Sequence, residues 1–393
     1  MSGVKRHMEA LEARGYGDAD GMVCSLCIKE PALVEAIRAE GEATECGYRG
    51  LTPNAPDATV ELERVVQLIT EGLLFEYEDP AQGAGWDGRE GGYQVPTIET
   101  PDLLWEHEVT EDDKPLYDIA GTVNLELWCR KDPYAVTDAE ALRWGWAAFR
   151  KYVQHNRRYT FLTRDDSTAD GAGAIPMHGI PAAVVEAVDD TGMITAFDAG
   201  TTWWRARVHN PGESYIAAKD IGTPADKYAR DNRKSPKGIG AFYGASTLVG
   251  ARAEVAGYAA APAEATIGAF TQLTDLALVD LRDLPDVPSL FDANRRHLRG
   301  MLIFMRDFIT DVTKVADPSD TANLEYIPTK VIAEHLRYDL PADGICWRST
   351  KDRDVTVCVL FLRNGAMSDA GAPTADSRLE LDPASVTHAF APL

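Results

Sequence analysis

The chain is short of cysteines, short of cations relative to its acids, and without any long apolar run. Six cysteines in 393 residues do not make a secreted disulfide framework. No stretch approaches the roughly eighteen consecutive apolar residues of a membrane span. The start, Met1 to His7, leads into a charged segment and not into the apolar centre of a signal peptide. A cytoplasmic protein with no membrane association is therefore expected. Lysines and arginines number 39 against 62 aspartates and glutamates, a formal net charge of −23. A field of that sign repels phosphate backbones and disfavours general nucleic-acid binding. A small anion needs only a local cluster of arginines and is not excluded. Internal repeats and low-complexity tracts are also missing.

What is present is a soluble globular composition, 45% hydrophobic and 26% charged, long enough for two or three cores. Three of the six cysteines fall in the first fifty residues. Cys24-Ser-Leu-Cys27 is one knuckle, a helix over Pro31–Glu40 follows, and Cys46-Gly-Tyr-Arg49 begins a second. Paired knuckles of this kind cage tetrahedral zinc, but Arg49 stands where the fourth cysteine belongs. Cys24, Cys27 and Cys46 are thus candidate ligands for Zn²⁺, with His7 or a water to complete the set. The alternative is a packed cluster of thiols without metal.

Helical spacing of Val65, Val66, Leu68, Ile69 and Leu73 predicts a helix over 60–74, and Leu142, Trp146, Phe149 and Val153 predict another over 139–155. Residues 79–101, rich in glycine, proline and acids, read as a long loop. Arg150 and His155 have the Arg-x4-His spacing of some helical ribonucleases. The competing reading has His155, Arg157 and Arg158 capping a helix C-terminus, and the acidic surface argues against RNA. Residues 163–175, small, polar and glycine-rich, are the best linker candidate. A short helix over 181–188 comes next, then strand-like runs at 202–208, 241–243, 266–271, 277–281 and 354–362, with one long helix seamed by Leu298, Leu302, Met305, Ile309 and Val312 between the last two. The expected organisation is a cysteine-containing segment (1–60), a mainly helical domain (61–170) and a mixed α/β domain (176–393).

Chemistry concentrates in the last of these. In Trp203-Trp204-Arg205-Ala206-Arg207 the strand period puts Arg205 and Arg207 on one face. Side by side they suit a diphosphate, or each serves a local carboxylate. Asn232-Arg233-Lys234-Ser235-Pro236-Lys237 is a basic turn, either lying over the same anion or merely solvated. Phe242-Tyr243-Gly244-Ala245 reads as strand and turn, Ser246-Thr247 as an N-cap, and Leu248–Val255 as a helix carrying Glu254. Glu254 is either a solvated helix residue or a catalytic acid at a cleft. Ser349, at the end of Asp343-Gly-Ile-Cys-Trp-Arg-Ser349-Thr350, lacks the Gly-x-Ser-x-Gly elbow of hydrolase nucleophiles and is better suited to orienting a ligand or a carboxylate.

The series Trp204-Arg205-Ala206-Arg207, Asn232-Arg233-x-Ser235-Pro236-x-Gly238-Ile239, Phe242-Tyr243-Gly244-Ala245, Ala253-Glu254, Tyr326-x-Pro328-Thr329, Ala333-Glu334 and Asp343-Gly344-Ile345-x-x-x-Ser349 resembles the RES domain. The upstream Trp146, Phe149, His155, Arg158 and Tyr159 resemble the HEPN/RES-type region that precedes some RES domains. The resemblance implies an α/β (α+β) fold like that of ADP-ribosyltransferases behind a mainly helical N-terminal domain. It implies NAD⁺ as substrate, and a toxin or defence enzyme that cleaves the nicotinamide–ribose bond by phosphorolysis or hydrolysis. Protein ADP-ribosylation, or an inactive partner-binding protein, are the alternatives. The residues it implies are Arg205, Glu254 and Ser349 as catalytic, with Arg205, Arg207, Arg233 and Tyr243 around NAD⁺. An antitoxin protein and a homo-oligomer are the partners it suggests. Departures are Lys234, where an aromatic or methionine is usual, Lys330, where glutamine is common, and the missing fourth cysteine. Arg252, two residues before Glu254, replaces the Glu or Gln of arginine-modifying transferases and favours NAD⁺ cleavage.

Overall fold

The computed structural model describes residues 14–160, 175–256, 264–314 and 324–390. His7 and nearly all of the expected linker lie outside them. The chain forms two units, Met1–Val136 with Val287–Arg299, and Thr137–Asp286 with Gly300–Leu393.

In the first unit β1 (Met22–Cys24) pairs antiparallel with β2 (Thr59–Glu61). Between them α1 (Pro31–Glu40) has proline at its start, and the Glu30 carboxylate accepts from the Leu33 amide at 2.8 Å, capping the helix. Helix α2 (Leu62–Glu76) buries the predicted stripe, Val65, Val66, Leu68, Ile69 and Leu73. The segment expected as a long loop is more ordered than that. It contains α3 (Pro80–Gly83) and a hairpin of β4 (Trp86–Asp87) and β5 (Gly92–Tyr93), in which Trp86 and Tyr93 meet edge to face at 4.8 Å. Two-residue strands leave no readable alternation, which is why composition alone missed them. β3 (Tyr77–Glu78), β7 (Leu127–Arg130) and β6 (Ile98–Glu99) form a small sheet, and α4 (Thr100–Glu106) and α5 (Asp113–Thr122) complete the unit. Cys24, Cys27 and Cys46 share one core with Leu33, Ile69, Leu103 and Trp128.

The second unit is built on nine strands: β8 (Ile194–Phe197), β9 (Thr202–His209), β10 (Phe242–Ala245), β11 (Glu264–Gln272), β12 (Leu276–Asp280), β13 (Gly344–Arg348), β14 (Thr356–Leu360), β15 (Met367–Asp369) and β16 (Leu379–Phe390). Their order is β15-β16-β11-β9-β10-β14-β13-β12-β8, antiparallel except at β15–β16 and β12–β13. The parallel β12–β13 pair requires a crossover, and this one carries two helices, α10 (Arg299–Thr313) and α11 (Tyr326–Asp339), where one was expected. One face of the sheet is covered by α6 (Asp138–His155), α7 (Ile180–Asp190), α10 and α11, through Trp146, Phe149, Val184, Phe304, Phe308 and Leu336. The opposite face buries Trp203, Phe242, Phe270 and Leu381 with the short α8 (Ala218–Ile221).

Helix α6 groups with the sheet in the second unit. Its stripe faces the aromatic residues of α10, with Trp146 and Phe308 edge to face at 5.0 Å, and a Thr137–Glu140 capping box starts it at the unit boundary. Arg150 pairs with Asp311 at 2.7 Å, while His155 is exposed in the helix's last turn. That arrangement matches the helix-capping reading of His155.

Gly344 shows how tightly the central strands approach. A Cβ there would lie 2.3 Å from the Val359 carbonyl oxygen and 3.1 Å from Leu278. Gly344→Ala is expected to cost about 1–3 kcal/mol, read as a lower midpoint in chemical denaturation with an unchanged slope.

Candidate active site

Glu254 sits on α9 (Leu248–Ala256), whose position is fixed at its start. Thr247 caps the helix, its Oγ1 accepting from the Gly250 amide at 3.0 Å. The Ser246 hydroxyl accepts from the Thr356 amide at 3.1 Å and ties that start to β14. Gly250 permits the close approach, since a Cβ there would meet Val355 Cγ1 at 2.4 Å. One turn on, half-buried Glu254 meets Ser349, which is 3% exposed just beyond β13. Ser349 Oγ donates to Glu254 Oε1 at 2.6 Å and accepts from the Lys351 amide at 3.2 Å. A hydroxyl has one proton; with the amide on a lone pair, that proton goes to the carboxylate. The Lys351 ammonium bonds the Ala253 carbonyl, placing a cation beside Glu254 at the end of the helix. Sequence reasoning missed Lys351, although its position two residues after Ser349 was a usable signal.

Arg205 and Arg207 project from β9 on the face holding Trp203 and Phe242, whereas Trp204 and Ala206 join the helix-covered core that also takes Ala251 of α9. Arg205 Nε donates to the Ile221 carbonyl at 2.7 Å and Nη1 to the Tyr243 carbonyl at 2.8 Å. β9 and β10 share a single register pair, Trp204 with Ala245. Beyond it the strands part, and the guanidinium takes a carbonyl that lies past the end of the ladder. Arg207 bonds the Asp220 carbonyl and lies 4.8 Å from the Tyr215 ring.

A family model described as the RES domain matches residues 202–382, and one described as HEPN/RES N-terminal domain 1 matches residues 39–167. The chain is a RES-domain protein. No curated protein and no solved structure matches it.

Within the RES domain the basic turn has a structural task. Arg233 Nη1 donates to the Thr313 carbonyl at 2.7 Å and Lys234 Nζ to the Val312 carbonyl at 3.3 Å, so both cap the C-terminus of α10. Arg233 also stacks 5.0 Å from Tyr326, and the Lys234 ammonium lies 4.6 Å from the Trp347 ring. Tyr243 belongs to the same group, its hydroxyl bonded to Ser235 Oγ at 2.9 Å and accepting from the Lys234 amide at 3.3 Å. Burial pushes the Tyr243 phenol up to about 12, opposed by those two bonds. The structure thus joins Glu254 to Ser349, Tyr243 to Ser235 and Lys234, and Arg205 to the backbone of Tyr243.

In the N-terminal unit the three predicted cysteines do come together. The sulfurs of Cys24 and Cys27 are 3.7 Å apart, as are those of Cys27 and Cys46, and all three lie within 4.8 Å of one another. They are close enough to hold a metal ion.

Lys234, expected from the sequence to depart from the RES pattern, is buried. Desolvation, then the nearby Arg233, lower its pKa from 10.5 to about 7. A lysine depressed in the folded state disfavours folding below that value, and the cost fades as pH rises towards the unfolded pKa. Lys234→Met is therefore expected to stabilise the fold at pH 6–7 by an amount on the order of a few kcal/mol, read as a higher thermal midpoint. The gain should shrink between pH 7 and 10.5, and a gap constant over that range would contradict the assignment.

Proposed function

We propose that the RES domain cleaves the nicotinamide–ribose bond of NAD⁺ on an ADP-ribosyltransferase-like scaffold, as a toxin or defence enzyme. The observation carrying this reading is the Ser349–Glu254 hydrogen bond of 2.6 Å, which orients a carboxylate at the end of a helix. Breaking the bond between ribose and the pyridinium nitrogen expels neutral nicotinamide and leaves oxocarbenium character on the ribose. Glu254, held by Ser349, stabilises that charge and fixes the ribose hydroxyls. Electrostatic assistance of this kind is worth about 3 kcal/mol or more per group. Lys351 adds a cation on the same side for an anionic acceptor or phosphate. Arg205 holds the Ile221 and Tyr243 carbonyls from the sheet face opposite α9, and it serves the site by fixing the strand that bears Tyr243. Arg207 assists, and Tyr243 contributes a ring beside the substrate. Arg233, as a helix cap, acts through Lys234 and Tyr243.

The test is nicotinamide release from NAD⁺, with and without inorganic phosphate, by wild type and variants. Glu254→Gln is expected to lose about 10²–10³-fold in rate, and Ser349→Ala roughly 10–100-fold, for a charge-assisted hydrogen bond of about 1.5–3 kcal/mol. A phosphate requirement names phosphorolysis, and release without phosphate names hydrolysis. A labelled protein band from tagged NAD⁺ would replace this reading with protein ADP-ribosylation, and a Glu254→Gln variant as active as wild type would sink it. On the same reading, expression of the wild type is toxic, Glu254→Ala relieves the toxicity, and an antitoxin is a protein whose co-expression does likewise.

A further inference from the structure

Arg49 stands where a paired knuckle would place its fourth cysteine, and it touches the sulfur cluster. Its Nε donates to Cys27 Sγ at 3.3 Å, and its Nη2 donates to the Leu26 carbonyl at 2.6 Å and approaches Asp112 at 3.4 Å. The amides of Tyr48 and Arg49 bond towards the Cys46 sulfur, and the Leu26 amide towards that of Cys24. Amides converging on sulfur are the surroundings that thiolate ligands need. The three sulfurs belong to residues no more than 3% exposed, inside the apolar core of the first unit.

We propose that Cys24, Cys27 and Cys46 hold one thiophilic divalent cation, zinc by its chemistry, through three thiolates, and that Arg49 is a counter-charge in place of a fourth ligand. On binding, three thiols release three protons, and a dication with three thiolates has one net negative charge. Four thiolates would leave two, and burying uncompensated charge in an apolar core is costly. A guanidinium has no lone pair to offer a metal, but its positive charge balances the three-thiolate complex. The fourth coordination position is then left to a small exogenous donor such as water, as in zinc sites with three protein ligands.

The full chain, stripped with a chelator, is titrated with Co²⁺ alone and read by its sulfur-to-metal charge-transfer absorption, and the metal content of untreated protein is measured alongside. One equivalent with the intensity of three thiolates is expected. Arg49→Cys should raise that intensity to four thiolates and tighten binding. Arg49→Ala should keep the three-thiolate spectrum and weaken binding about 10–100-fold. His7→Ala should leave the spectrum unchanged. Both Arg49 variants keep the three cysteines, so they report even where a cysteine substitution prevents folding. Absence of a stoichiometric cobalt signal would overturn the site. A spectrum altered by His7→Ala, or an Arg49→Cys variant with no added charge transfer, would overturn the role given to Arg49.

Discussion

The nine-stranded sheet is continuous across its middle through one residue pair, Trp204 with Ala245. Everything around the candidate site depends on how the chain manages that narrow join. On one face Trp204 and Ala206 pack into the core shared with α9. On the other Arg205 reaches the Tyr243 carbonyl where no ladder bond from β9 is available. A buried carbonyl without a donor would cost about 1–3 kcal/mol, so the arginine serves structure whether or not it also binds an anion. Tyr243, held through its backbone from one side and through Ser235 and Lys234 from the other, is left with little freedom.

Helix ends organise the rest. The α9 start is capped by Thr247 and tied to β14 by Ser246, and its last turn carries Glu254 and meets Lys351. The α10 C-terminus is capped by Arg233 and Lys234. In a chain of net charge −23, cations are scarce, and these are placed where backbone carbonyls gather at helix termini. The same economy recurs at the cysteine cluster, where Arg49 meets a sulfur, a carbonyl and a carboxylate.

Much of this was legible in the sequence. The 3.6-residue stripes placed α1, α2, α6 and α10, an N-cap pair placed α9, α7 reads as a short helix, and apolar runs placed β9, β10, β11, β12 and β14, each to within a few residues. Motif order marked Glu254 and Ser349, which meet across 95 positions of chain. Less was legible where the signal is short or shared. The two-residue strands of the first unit carry no period, α11 reads only as a motif around Tyr326 and Pro328 and not as a helix, and β16 alternates weakly around Pro383 and Ser385. Strand alternation put Arg205 and Arg207 together, but it could not show which sheet face α9 would cover.

Sequence by itself determined the local placement of the candidate residues: which strand face each arginine shares, which turn starts the helix before Glu254, which cysteines form a knuckle and which position lacks one. These are local properties, set by periods of two and 3.6 residues and by capping chemistry. Tertiary structure decided what each charged group meets. Arg233 became a helix cap because α10 ends beside its turn, Lys234 became buried because Trp347 and Val312 close over it, and Lys351 joined Glu254 because β13 ends at α9. Such contacts bring together residues a hundred or so positions apart, and long-range packing fixes them where local propensity has no hold.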